Sequence, residues 1–467
     1  MRTRSSRPRN RQASDTSTRA LTRRTRTSGS RTGGSRARGW TAAVLRASGA
    51  VVPAVLTAVI LAGGGGPRTA PADGVARAGA ASVATAAAVA TAATATPVAP
   101  VTPVSTARKL PPLPASVDGG AWPSGHLQGM AVDRRAGHLY FSFTNLLVKT
   151  DLRGTPLGSV TGFTGHLGDL DFDERDGRVY GSLEYKAAKA FYIAVFDGAR
   201  ITRMNMDAAD TGVVSTVHLR EVVEDYTADM DGNGVFDGDT AATPDHRYGC
   251  SGIDGVAFGP ALDGTGGERL TVAYGVYAHT AREDNDHQVL LQYDVKRWKK
   301  YERPLTERAP HTSGPAAPDG KYFVYTGNTT YGTQNLEYDR HTGNWLLAVY
   351  KGTKPRFPHY ALFVLDGARR PVDGVVRGQP APERGPLLSL LPQGLHDAGT
   401  GLYGWESAGQ YGLVSLDDGR YYVAETGTVR VDGVTLQTGR AVLHRWTGRT
   451  PNPFSAVGAS RTSRPGR

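Results

Sequence analysis

Gly168-Asp169-Leu170-Asp171-Phe172-Asp173, followed after a short turn by Gly177-Arg178-Val179-Tyr180, is a hairpin written in residue types. Leu170 and Phe172 point one way and the three carboxylates the other, as the two-residue period of a strand requires. The phrase occurs upstream as Gly129-Met130-Ala131-Val132-Asp133 with Gly137-His138-Leu139-Tyr140-Phe141. Downstream it returns as Asn335-Leu336-Glu337-Tyr338-Asp339 with Gly343-Asn344-Trp345-Leu346-Leu347. In all three the glycine follows the aspartate at the same offset. Looser copies lie at Gly252-Ile253-Asp254-Gly255-Val256-Ala257-Phe258 and at Gly401-Leu402-Tyr403-Gly404-Trp405.

A second class of strand ends on an aspartate before a turn, as in Val148-Lys149-Thr150-Asp151, Ala194-Val195-Phe196-Asp197, Leu291-Gln292-Tyr293-Asp294 and Phe363-Val364-Leu365-Asp366. Short alternating strands, repeated at blade-like intervals and separated by turn residues, predict an all-β chain folded as a β-propeller. Inner-strand signals begin near residues 126, 166, 252, 333 and 399, so five blades are expected. Six or seven remain the alternatives if the wider gaps hold degenerate copies.

Charge is unevenly spread. The first fifty residues hold thirteen arginines and one acidic residue, a local net of +12 against a formal +11 for the whole chain. The remainder is therefore close to neutral, and no nucleic-acid footprint is expected on the folded part. The apolar run 51–62 suits a signal-peptide core and is short for a membrane span, which needs about 20 residues. Residues 1–78 read as basic arm plus signal peptide, or as a membrane anchor if 51–62 stays uncleaved. Residues 79–116 form an Ala/Thr/Pro-rich linker, 117–450 the propeller and 451–467 a loose tail. A secreted, extracellular monomer is expected. Its one cysteine, Cys250, excludes an internal disulfide and reads as a small buried hydrophobe.

Asp229-Met230-Asp231-Gly232-Asn233-Gly234-Val235-Phe236-Asp237 places oxygen side chains at relative positions 1, 3, 5 and 9, with glycine at 6 for the sharp turn. That spacing wraps hard oxygen ligands around Ca²⁺, with the Val235 carbonyl at position 7 adding another. The loop resembles the first nine positions of EF-hand loops. Thr240 stands where an EF-hand has its bidentate glutamate, and Asp239 or Asp245 are the substitutes within reach. Asp229, Asp231, Asn233, Val235 and Asp237 are thus the expected ligands of a structural Ca²⁺ in an insertion between blades.

Residues just before or within the inner strands should converge on the central mouth of the propeller. His126, His166, Asp169 and Asp254 are the candidate catalytic groups. Gln128, Tyr185, Tyr331, Gln334 and Asn335 are the candidate substrate-binding groups. Glu184 and Lys186, with Tyr277, His279 and Arg282, are added as loop candidates. No Gly-x-Ser-x-Gly elbow, His-Glu-x-x-His helix, phosphate loop or dinucleotide fingerprint is present. The Trp122–Trp446 region resembles secreted bacterial β-propellers, a group that includes polysaccharide lyases, glycosidases, lactonases and binding proteins. That resemblance, with aromatics and carboxylates at a concave mouth, implies action on an extracellular carbohydrate by glycoside hydrolysis or uronate β-elimination. The alternatives are a non-enzymatic carbohydrate- or surface-binding propeller, or a metal-dependent lactonase or phosphoesterase.

Overall fold

A computed structural model describes residues 110–458. The basic arm, the apolar run 51–62 and nearly all of the expected linker lie outside the described residues, as does the end of the tail. Among the described residues no helix is long and apolar enough to cross a membrane.

The chain is a five-bladed β-propeller. Blade 1 runs from its innermost strand outward as Leu127–Asp133, His138–Phe143, Leu146–Asp151 and Pro156–Thr161. Blade 2 is His166–Asp173, Arg178–Tyr185, Ala190–Phe196 and Val214–His218, and blade 3 is Cys250–Pro260, Glu268–Val276, His287–Tyr293 and Gly320–Tyr325. Blade 4 is Thr329–Asp339, Asn344–Lys351 and Leu362–Leu365. Blade 5 begins at Leu413–Ser415, continues through Arg420–Val431 and Val434–Trp446, and takes its outer strand, Ser116–Trp122, from the start of the fold. Val117 pairs with Ala441 in that last step, so the two ends of the folded chain close the ring.

The repeated Asp-x-x-x-Gly phrase has one physical cause. Gly137, Gly177 and Gly343 all take left-handed φ, between 73° and 74°, and donate N–H to the carbonyls of Asp133, Asp173 and Asp339. A side chain is disfavoured there, and glycine is not. Gly401 makes the same turn, φ 75°, bonded to the Asp397 carbonyl. It closes a small hairpin, Leu395–Asp397 with Leu402–Gly404, bridged to the outer strand of blade 4 through Leu362 and Trp405. The expected fifth inner strand near 399 is therefore an outer hairpin using the same turn chemistry. The true one, Leu413–Ser415, is three residues long and carries no such phrase.

The inner-strand glycines answer to crowding around the axis. A Cβ on Gly129 would lie 2.6 Å from the Asp169 Cα. Farther out, a Cβ on Gly259 would lie 2.6 Å from the buried Trp345 ring, so this residue sets how closely blade 3 meets blade 4. Ser142 in blade 1 and Ser182 in blade 2 hold matching positions, donating their hydroxyls to the carbonyls of Gly168 (2.6 Å) and Asp254 (2.5 Å) on the next blade.

Both fold boundaries fall outside those expected. Leu113 packs into the blade 1–blade 5 core and the Pro114 carbonyl accepts the Tyr422 hydroxyl, so the linker ends before 116. Phe454–Ala456, expected to be loose, pairs with His444–Trp446, and the Phe454 ring meets Trp446 and Tyr421. An insertion, with the single described α-helix Arg220–Tyr226, separates blades 2 and 3. Cys250 is fully buried at the first position of blade 3.

Candidate functional site

Inner strands begin, and second strands end, on the same face of the ring. His126 and Gln128 come from the start of blade 1, His166 from blade 2, Asp254 from a bulge in blade 3, and Tyr331 and Gln334 from a bulge in blade 4. Second-strand ends add Glu184, Tyr185 and Tyr350, and the following turn adds Lys186. Together they line a cleft of about 580 Å³ over the channel. Seven of the nine candidate residues named from the sequence meet there, with Glu184 and Lys186 beside them. Tyr350 was not singled out. Its signal was the strand register, since Tyr350 pairs with Thr330 as Glu184 pairs with His166.

At the centre of the cleft one imidazole nitrogen faces two carboxyl groups. His166 Nδ1 lies 3.5 Å from Glu184 Oε1 and 3.9 Å from Asp254 Oδ1. Burial, then the nearby Lys186 charge, lowers the His166 pKa to about 4, so the ring is neutral near pH 7. Glu184 Oε2 accepts the Ile253 N–H at 3.1 Å, and Oε1 lies 3.4 Å from Lys186 Nζ. Burial nevertheless raises the Glu184 pKa to about 6. Asp254 Oδ2 accepts from Gln334 Nε2 at 2.9 Å, and burial followed by the Glu184 charge pushes its pKa well above the usual carboxylate range. Burial opposes the Lys186 charge, but Glu184, Asp239 and Asp254 outweigh it and hold that pKa above its ordinary value. The two carboxyl groups thus sit in unlike surroundings, one facing a cation and a backbone N–H, the other an amide and a like charge.

Aromatic groups flank them. His126 Nε2 is 3.2 Å from the Tyr350 hydroxyl, and burial, with repulsion from His166 where that ring is protonated, lowers the His126 pKa. Tyr331 is 51% exposed and holds φ +59°, which a bulky residue rarely adopts. Gly332 follows at φ +73°, where a Cβ would lie 2.2 Å from the Tyr274 carbonyl oxygen. The bulge and this glycine together turn the Tyr331 ring out beside the cleft.

Two expected site residues lie below the cleft and hold the ring together. Asp169 is 1% exposed; its Oδ1 accepts from Leu170 N (2.9 Å), and its Oδ2 from Val256 N (3.0 Å) and Leu336 N (2.9 Å). One carboxylate therefore ties blades 2, 3 and 4 at the axis. Asn335 is fully buried, donating to the Gln128 carbonyl (2.7 Å) and accepting from Leu413 N (3.1 Å), which links blades 4, 1 and 5. Alternation identifies both as polar inner-strand positions, but they lie farther along their strands than the mouth residues and are buried against neighbouring blades.

In the insertion, Asp229 Oδ1 accepts the Gly232 and Asn233 N–H groups at 2.8 and 3.1 Å, and Oδ2 accepts Gly234 N–H at 2.7 Å. The Gly234 N–H, followed by others of the loop, lowers the Asp229 pKa. Carboxylate oxygens of Asp229, Asp231 and the fully buried Asp245 all lie within 4.8 Å of one another. Asp239 turns away to accept the Tyr277 hydroxyl, and Asp237 accepts Thr243 Oγ1 at 2.8 Å. Asn233 donates Nδ2 to Asp231, and Val235 is 56% exposed. The three-carboxylate group thus joins two of the expected ligands to Asp245.

No protein-family model matches this chain, and no curated protein matches it. Among solved structures it is similar to an exo-β-1,3-galactanase from Phanerochaete chrysosporium crystallised with β-1,3-galactotriose, at 9% identity and TM-score 0.32, over 73% of this chain and 66% of that one. It is also similar to the Dos1 propeller (10%, TM-score 0.27, 67% of this chain and 78% of that). A third is the β-propeller domain of Cps50 (Swd1) from Myceliophteria thermophila (7%, TM-score 0.24, 67% and 82%). These likenesses concern the fold and carry nothing about chemistry.

Proposed function

We propose that this chain is an exported propeller that hydrolyses a glycosidic bond of an extracellular carbohydrate at the cleft over its channel. The observation that carries the reading is the Glu184–Asp254 pair, two carboxyl groups reaching one imidazole from environments that push their pKa values apart. Asp254, the more strongly raised, is the proton donor to the leaving oxygen. Glu184, with Lys186 and the Ile253 N–H favouring its charged form, is the base or nucleophile. Neutral His166 faces both carboxyl groups through its Nδ1, and Tyr331 offers an aromatic face on which a sugar ring can lie.

β-Elimination receives less support. It needs a free cation for the uronate carboxylate, and Lys186 is already engaged by Glu184 between two acidic side chains. Incubation with a polysaccharide panel should release reducing ends without the absorbance of an unsaturated uronate. The rate should climb as pH rises through about 6, where Glu184 ionises, and fall above the raised Asp254 value. Retention of a polysaccharide without turnover would replace this reading with a binding function. Inactivity without retention across the panel would remove both.

The insertion is proposed to hold a structural Ca²⁺. Three converging carboxylates repel one another unless a cation joins them, and the Asp-x-Asp-x-Asn-Gly spacing fits hard oxygen ligation. Asp229, Asp231 and Asp245 would hold the ion. A ligand bound only to the folded state stabilises by about 2.7 kcal/mol at a hundredfold excess over Kd. Chelation should therefore lower the melting temperature of the full chain by a few degrees, and added calcium should restore it. Asp231→Ala should abolish that response while sparing turnover at low temperature. A melting curve indifferent to both chelator and calcium would reduce the loop to a turn.

A further inference from the structure

Between the outer parts of blades 3 and 4 lies a second notch of about 550 Å³, whose lining includes Tyr325, Arg356, Phe357, Arg377 and Glu283. The Arg377 guanidinium stands 4.7 Å from the centre of the Tyr325 ring and the Arg356 guanidinium 4.9 Å from that of Phe357. The two rings meet edge to face at 6.0 Å. Two arginines are thus set on a paired aromatic floor, an arrangement that limits their freedom without neutralising them.

What lies behind the floor is built, not incidental. Asp286, whose side chain is 3% exposed, accepts Lys354 Nζ at 2.5 Å and also pairs with Arg356. Lys354 is itself 4% exposed and donates to Asn285 Oδ1 at 2.6 Å. One buried carboxylate therefore holds two cations, leaving Arg356 anchored from below and 57% exposed above. Arg377 has no carboxylate within ion-pairing distance among the described residues. Buried His287 packs against Tyr325 with the rings tilted by 56°, and burial followed by the Arg377 charge keeps it neutral. Its Nδ1 has no hydrogen-bond partner. The wall itself carries two cations, Arg356 and Arg377, and two carboxylates, Asp286 and Glu283. Asp286 is taken up by Arg356 and the buried Lys354 behind it, so the three cations exceed the two carboxylates by one charge, with Glu283 the one acidic wall residue not held in an ion pair.

We propose that this notch is an accessory subsite for the anionic group, carboxylate or sulfate, of an acidic sugar unit in the polysaccharide. Arg356 and Arg377 would bind the anion, with the Phe357 and Tyr325 rings beneath holding the two guanidinium groups in place. The proposal rests on the carbohydrate reading above and adds a substrate class to it. The cleft, flanked by two carboxyl groups, suits a neutral unit, whereas the notch suits a charged one. A polymer carrying both kinds of unit is the ligand that fits the two sites.

The test is calorimetry on the full-length Glu184→Gln chain, which keeps the cleft and removes its base. The titrants are a neutral oligosaccharide, a uronate-containing one and a sulfated one of equal length. At least one acidic oligosaccharide should bind more tightly than the neutral one, with affinity falling as salt rises. Arg377→Ala should weaken acidic binding by about tenfold, the loss expected for a charge-assisted contact, and leave neutral binding unchanged. Arg377→Lys should restore part of it, and Glu283→Gln should tighten acidic binding. The uronate and sulfate arms identify the group recognised. Equal affinities for neutral and acidic oligosaccharides, or an Arg377→Ala effect common to both, would overturn the subsite and leave the cleft reading standing. No binding of any oligosaccharide would overturn both.

Discussion

Replacing Asp169 with alanine should lower the melting temperature of this propeller by about 10 °C, far more than the loss of any surface carboxylate. Asp169 accepts three backbone N–H groups from blades 2, 3 and 4 at the axis, where water has no ready access. Each buried donor left without a partner costs about 1–3 kcal/mol. Removing the carboxylate also relieves its burial, which by itself pushes the Asp169 pKa well above the usual range. A net loss of about 3 kcal/mol remains, and each kcal/mol is worth about 2–4 °C in a domain of a few hundred residues. Asp169→Asn keeps one acceptor oxygen and should fall between the two. Thermal unfolding followed by circular dichroism checks the order. An Asp169→Ala chain that melts with the native protein but has lost turnover would return Asp169 to the catalytic role that its position in the sequence implied.

Glu184→Gln should have the opposite profile. The amide keeps the size of the side chain and can still accept the Ile253 N–H, so the fold should hold. Turnover on whichever polysaccharide is cleaved should fall by about 10²–10⁴-fold, the usual contribution of a positioned acid or base. The loss should appear in kcat, with KM little changed, because the group acts on the reacting bond. The rising limb near pH 6 should vanish with it. Lys186, deprived of its main partner, should become easier to deprotonate. Full activity in Glu184→Gln, with the native pH profile, would exclude Glu184 as base or nucleophile.

The contrast between these residues shows what could be read before the fold was known. Asp169 and Glu184 are both acidic residues of blade 2, and the inner-strand position favoured Asp169. Glu184 sits at the end of the second strand, so antiparallel pairing with His166 returns it to the mouth. Tyr350 returns to the same face by the same geometry. The Gly401 phrase misled for a related reason: a left-handed glycine after an aspartate reports a tight turn, and a propeller makes such turns at its rim as well as near its axis.

Residue pattern alone determined that this chain is all-β, that its strands come in blade-sized hairpins, where four of the five inner strands begin, and that Asp229–Asp237 forms a glycine-turned acidic loop. Those properties are local: alternation and left-handed glycines act within a few residues. Tertiary structure decided which carboxylates face the cleft and which stitch the blades. It also joined Asp245 to Asp229 and Asp231, and drew the closing strand from residues far from its partner. These depend on strand register and on contacts between residues separated along the chain, from Asp245 with its nearby loop to the closing strand with its distant partner, which no local pattern encodes.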